Sequence, residues 1–68
     1  MTKQQQYFLD YCKAVKGYVK KRHSNIGVSM CIYTQNNNPK MYIPIKMWEQ
    51  VEEHFILDIN TGIYNLKI

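Results

Sequence analysis

Strict alternation of side-chain character in the segment 26–34 is the feature that most constrains the fold of this chain. Apolar residues occupy every second position there, which predicts a strand with one buried face. The residues expected to point inward are Ile26, Val28, Met30 and Ile32, and those expected to point outward are Ser29, Cys31 and Tyr33. The Asn-rich segment 35–39 predicts a turn, because Asn tolerates a left-handed backbone. The segment 40–45 then predicts the return strand of a hairpin, which ends at Pro44 or lies at a sheet edge.

A first helix is predicted over residues 3–22. Thr2 and Gln5 have the spacing of a capping box, in which each side chain satisfies a backbone N–H at the helix start. An apolar stripe of helical period follows and contains Phe8, Cys12, Val15 and Val19. Because Cys12 belongs to this stripe, we expect it to be buried.

A second helix is predicted over residues 46–55, where helical periodicity returns and Trp48 falls on the inner face. A second hairpin is predicted over residues 56–68, with a turn at 60–62 that closes on Gly62. The pattern leaves open whether residues 56–57 prolong the helix. The predicted fold is therefore a small α+β domain over residues 1–68, in the order α-β-β-α-β-β, with antiparallel hairpins packed on two helices.

The length of the chain limits how stable such a domain can be. A chain of 68 residues buries only about 60% of the surface that it exposes when unfolded, so a disulfide, a metal or a partner is often needed. Cys12 and Cys31 follow no secretory signal, which favours reduced thiols and a cytoplasmic location. We expect Cys31 to be the more reactive thiol. A partner subunit or a homo-oligomer is therefore the more attractive source of stability. No apolar run has the length of a membrane span.

Charge is distributed unevenly along the sequence. Residues 1–24 contain six Lys and Arg residues and only one acid, Asp10, whereas residues 47–68 contain four acids and one Lys. A face that merely solvates a helix usually mixes both signs, so an unneutralised basic segment favours binding to phosphate backbones. Within the predicted helix, Lys13, Lys16 and Lys20 form one stripe. The candidate nucleic-acid-binding residues are Lys13, Lys16, Lys20, Lys21, Arg22, His23, Tyr33, Lys40 and Tyr42.

Two simpler interpretations compete with this one. Lysine stripes on helices are commonly solvated faces, and tyrosines on neighbouring strands commonly stabilise the sheet by cross-strand pairing. The shortage of acids argues against a merely solvated helix face. The proximity of Tyr33 and Tyr42 to Lys40 favours binding, because aromatic rings can stack on bases while cations hold phosphates.

The sequence gives no catalytic or cofactor signature. The three glycines stand apart, so no phosphate-binding loop is present, and the two Cys and two His lack the short spacing of a zinc site. The acidic residues Glu49, Glu52 and Glu53 fall on the outer face of the second helix. We therefore expect a protein that is not an enzyme and that holds no metal or cofactor.

The sequence favours a basic accessory protein that binds DNA or RNA largely without sequence preference. The richness in Asn, Lys, Ile and Tyr is typical of AT-rich genomes, including phages and mobile elements. A larger partner enzyme, such as a polymerase, primase or helicase, is expected to bind its aromatic surface. The alternative is an adaptor or an inhibitor of a host enzyme that contacts only protein, because Tyr, Trp and Met are enriched at protein interfaces.

Overall fold

A five-stranded antiparallel sheet and two helices form the structure, a computed structural model that describes residues 1–67. The helices are α1 (Lys3–Val15) and α2 (Ile45–Val51), and a short 3-10 turn over Glu52–His54 follows α2. The strands are β1 (Tyr18–Ser24), β2 (Gly27–Tyr33), β3 (Pro39–Pro44), β4 (Phe55–Asp58) and β5 (Ile63–Leu66), in the sheet order β3-β2-β1-β5-β4. The α+β class is confirmed, with one strand more than the order predicted from the sequence.

The additional strand is β1, which replaces the second half of the predicted first helix. Helix α1 ends at Val15 because Lys16 adopts a left-handed conformation with φ of 52°. The N–H groups of Lys16 and Gly17 then bond the carbonyls of Lys13 and Cys12, as in a Schellman motif. Gly17 is required next, because a Cβ there would overlap the backbone oxygen of Tyr33. The prediction of a helix up to residue 22 is therefore wrong.

The start of α1 agrees with the prediction and also joins the two helices. Thr2 accepts a hydrogen bond from the backbone N–H of Gln5, and the Gln5 side chain accepts one from Thr2, which confirms the capping box. The Gln5 side chain is buried, and its amide donates to the carbonyl of Met47 over 2.9 Å and to Gln50 over 3.1 Å. A polar residue can be buried here because each of its side-chain polar atoms has a partner.

Both helices cover the same face of the sheet, and the core lies between the two layers. Trp48 is buried on α2 and packs against Phe8 of α1, Phe55 of β4 and Tyr64 of β5, with ring centroids 5.0–6.3 Å apart. The rest of the buried apolar cluster comes from the same face of the sheet and from both helices, and includes Leu9, Cys12, Val19, Met30, Ile32, Ile43 and Val51. The expected burial of Cys12 and Trp48 is confirmed.

The two predicted hairpins are present with altered boundaries. In the first, Met30 and Ile32 point into the core as predicted, but Ile26 lies in the preceding turn and is 97% exposed, and Val28 is also exposed. In the second, residues 56–57 belong to β4, so they do not prolong the helix. The last residue of the predicted hairpin, Ile68, lies outside the described residues.

Candidate nucleic-acid interface

The face of the sheet opposite the helices is uncovered, and strand register defines its composition. Val19 pairs with Ile32 and Tyr64 on the core side, so the residues next to them in each strand point to the other side. This surface, called the open face below, carries Tyr18, Lys20, Arg22, Ser29, Cys31, Tyr33, Tyr42, Pro44, Ile56, Asp58, Ile63 and Asn65. Strands β1, β2 and β3 therefore present tyrosines and cations on one surface.

Three tyrosines lie on this surface. Tyr18 and Tyr33 face each other across β1 and β2 and stack with ring centroids 5.6 Å apart and planes 12° from parallel. The Tyr18 hydroxyl donates to the side-chain oxygen of Asn37, which fixes that ring from the neighbouring turn. Tyr42 lies one strand further along, opposite Cys31, and its side chain is 64% exposed. Tyr42 therefore offers a free ring, whereas the other two form a half-buried pair.

The cations of the open face form no ion pair with a carboxylate in residues 1–67. Lys20 lies opposite Cys31, and Arg22 lies opposite Ser29, so both are next to the tyrosines. Lys40 lies in the same strand as Tyr42, beside an irregularity in the β2–β3 pairing. No Asp or Glu occurs between residues 18 and 44, and within residues 1–67 no carboxylate lies within 4 Å of these cations. This part of the sheet therefore carries uncompensated positive charge.

Cys31 lies at the centre of the open face but is not accessible. It points away from the helices as predicted, yet neighbouring side chains cover it completely, and its thiol faces the carbonyl of Ile32. The expectation that Cys31 would be the more reactive thiol is not supported, because both cysteines are fully buried and free. Burial, and next the proximity of Cys31, raise the pKa of Tyr33 above its ordinary 10.0.

The remaining predicted binding residues lie elsewhere. Lys21 and His23 point to the opposite side of β1, where both are exposed. Lys13 and Lys16 do not form a stripe with Lys20, because α1 has ended before Lys20. Instead they border a cleft of about 420 Å³ at one end of the sheet, whose other lining residues are Cys12, Gly17, Gln35, Asn65, Leu66 and Lys67. The predicted set therefore divides among the open face, the reverse side of β1 and this cleft.

Tyr18 belongs to the open face but was not among the candidates predicted from the sequence. In a helix it would have flanked the apolar stripe, whereas in β1 it alternates with Val19 and shares a face with Lys20 and Arg22. The signal that could have identified it is Gly17, because glycine commonly follows the end of a helix. After Val19 every residue of β1 is polar, so apolar alternation does not itself predict this strand.

The groups that could act in nucleophilic catalysis are poorly suited to it. Burial raises the pKa of the Cys12 thiol from 9.0 to about 11, which disfavours the reactive thiolate. His54 approaches Glu53 to 3.7 Å on the surface, in the turn that follows α2. Within residues 1–67, no three His, Cys, Asp or Glu residues are arranged to hold a metal ion. Neither helix in this part of the chain is long and apolar enough to span a bilayer.

The chain matches no protein-family model, and comparison with curated protein sequences and with solved structures finds no significant similarity.

Proposed function

We propose that this protein is a non-enzymatic accessory factor that binds single-stranded nucleic acid on the open face. The observation that carries the proposal is the exposed ring of Tyr42 beside the stacked Tyr18–Tyr33 pair. Lys20 and Arg22 of β1 lie on the same face of the sheet. Bases that are not paired can stack on such rings, while the ammonium and guanidinium groups contact phosphates.

Electrostatics supports the same surface. The strands β1–β3 carry only positive charge, whereas four of the five acids lie on α1, on α2 and in the turn after it, on the other side of the molecule. A polyanion that lies along β1–β3 would therefore meet cations and no acidic side chain, whereas Asp58 lies on β4 at the edge of the open face. Because phosphate contacts and stacking on tyrosine require no particular base, the binding would be largely independent of sequence.

A larger partner protein is part of the proposal. The edge strand β4 exposes Ile56 and Leu57, and Ile59 directly after it is 85% exposed. Exposed apolar side chains on a free strand edge favour pairing with another chain. Such a partner, for example a polymerase, primase or helicase of a phage or mobile element, would leave the tyrosines and cations of β1–β3 free for nucleic acid.

The same edge favours a second candidate, an adaptor or inhibitor that contacts only protein. In that case the open face would have no role in nucleic-acid binding. The test is a titration of the protein into labelled oligothymidylate and into a duplex of equal length at low salt. The proposed function predicts saturable binding with preference for the single strand, and the protein-only function predicts binding to neither.

A further inference from the structure

The hairpin formed by β1 and β2 extends beyond the rest of the sheet. Strand β5 pairs with β1 only at Val19 and Lys20, and β3 ends where Pro44 lies opposite Ser29. Residues 22–28 therefore form a two-stranded ribbon without neighbours, and each of them is exposed. The ribbon therefore projects along the strand direction from one end of the sheet.

The tip of this ribbon carries an apolar side chain that local structure does not require. Ser24 pairs with Gly27, so Asn25 and Ile26 form a two-residue turn, which the Ser24 hydroxyl stabilises by donating to the Gly27 carbonyl. Gly, Pro, Asn, Asp and Ser are the usual residues of turns. Ile26 is nevertheless present, and it is 97% exposed. Neither the residue preferences of turns nor the cost of exposing an apolar side chain to water favours Ile26 at this position.

The β1–β2 hairpin carries cations on both of its faces at the base of the ribbon. Lys20 and Arg22 point to the side of the open face, and Lys21 points to the reverse side, together with His23. An exposed apolar side chain at the tip of a hairpin with cations at its base is a combination with which nucleic-acid-binding proteins insert between or against bases. A single nucleic-acid strand that lies along β1 and β2, from the Tyr18–Tyr33 pair past Arg22, would reach the ribbon tip.

We propose that the ribbon tip recognises the junction between single-stranded and double-stranded nucleic acid, with Ile26 packing against the terminal base pair. A duplex cannot lie along the tyrosines, because its bases are already stacked, but its end exposes one apolar base-pair surface. Arg22 on one side of the hairpin and Lys21 on the other, at the base of the ribbon, would contact the phosphate backbones of that duplex. This inference rests on the proposed function, since the single-stranded tail must occupy the open face.

The test compares the affinities of three labelled probes: an oligothymidylate tail, a duplex carrying that tail, and the blunt duplex. Two variants are matched at the tip, Ile26→Asn, which suits the turn, and Ile26→Leu, which keeps an apolar side chain. We expect the wild type to bind the tailed duplex roughly tenfold more tightly than the tail alone, as partial burial of one Ile side chain would give. Ile26→Asn should clearly reduce that difference without weakening binding to the tail, and Ile26→Leu should retain it.

Several results would overturn the inference. Equal affinity of the wild type for the tail and the tailed duplex would do so while leaving single-strand binding intact. An unchanged preference in Ile26→Asn would assign the junction contact to the cations and not to Ile26. If the wild type binds none of the three probes, the proposed function fails as well. Loss of binding to anionic lipid vesicles in Ile26→Asn, with no change in junction preference, would identify the tip as a membrane contact instead.

Discussion

Tyr18 and Tyr33 stack across β1 and β2 with their ring planes 12° from parallel, although one residue follows the end of a helix and the other precedes a turn. Each ring covers one face of the other, so only the outer faces remain for a ligand. The pair therefore stabilises the sheet and at the same time forms a broad aromatic surface next to Arg22 and Lys20.

A double-mutant cycle measures how much the two rings stabilise each other. We expect Tyr18→Ala and Tyr33→Ala each to lower the free energy of unfolding, with a coupling of about 0.5–1.5 kcal/mol between them. Urea denaturation of the wild type, both single variants and the double variant gives this coupling. Strictly additive losses would show that the rings lie side by side without interacting.

Tyr42 tests stacking with little effect on the fold, because its ring is 64% exposed. Replacement of an aromatic residue that stacks on a base typically costs about 1–3 kcal/mol of binding free energy. We expect Tyr42→Ala to weaken binding to oligothymidylate by that amount and Tyr42→Phe to preserve it. The thermal unfolding of both variants serves as the control. Equal affinity of Tyr42→Ala and the wild type would remove Tyr42 from the binding surface.

Gly17 tests the transition from α1 to β1. A Cβ at this position would overlap the Tyr33 carbonyl oxygen and approach Ile32 and Val15 side-chain carbons to 3.2 Å. Overpacking of this kind costs roughly 1–3 kcal/mol, so Gly17→Ala should unfold at a clearly lower urea concentration than the wild type. The matched variant Lys16→Gly removes a left-handed lysine and should be neutral or slightly stabilising, by up to about 1 kcal/mol. If Gly17→Ala were as stable as the wild type, the helix would continue past Lys16.

Those two residues also show how far the sequence predicts the structure. The capping box, the hairpin alternation and the inner position of Trp48 are local patterns, and each is confirmed. The predicted end of the first helix is wrong. Val19 follows Val15 at a helical spacing and is buried whether it lies in a helix or in a strand, so the spacing does not distinguish the two. The residue after the left-handed Lys16, Gly17, lies so close to the distant Tyr33 backbone that a Cβ would not fit. A periodic pattern contains no information about that contact.

The binding surface was predictable only in part for the same reason. The predicted outward side of β2 and β3 correctly brought Tyr33 and Tyr42 together. Tyr18, Lys20 and Arg22 join them only because β1 lies beside β2, and that pairing follows from the early end of α1. The burial of Cys31 also required knowledge of its cross-strand neighbours.

The buried thiol of Cys12 predicts a specific pH dependence of stability. Its pKa rises from 9.0 in the unfolded chain to about 11 in the folded protein, so the unfolded chain loses this proton first. The contribution of this thiol to the free energy of unfolding is therefore constant below about pH 9 and falls as the pH rises toward about 11. Between pH 8 and pH 10.5 the wild type should lose about 2 kcal/mol more than Cys12→Ala, as measured by urea denaturation. Equal losses in both proteins would mean that the thiol ionises freely in the folded state.

The central claim, that the cations of the open face hold the phosphates of a single strand, is tested most directly by the salt dependence of binding. Two double variants remove equal charge from the two layers: Lys20→Gln with Arg22→Gln on the open face, and Lys3→Gln with Lys46→Gln on the helices, where both lysines are exposed. Each phosphate contact contributes about 0.7 to the slope of log affinity against log salt for single strands. We predict that the open-face variant lowers the slope for oligothymidylate by about 1.4, whereas the helix variant leaves it unchanged. Equal slopes for the two variants, or a larger decrease in the helix variant, would contradict the assignment of nucleic-acid binding to the open face.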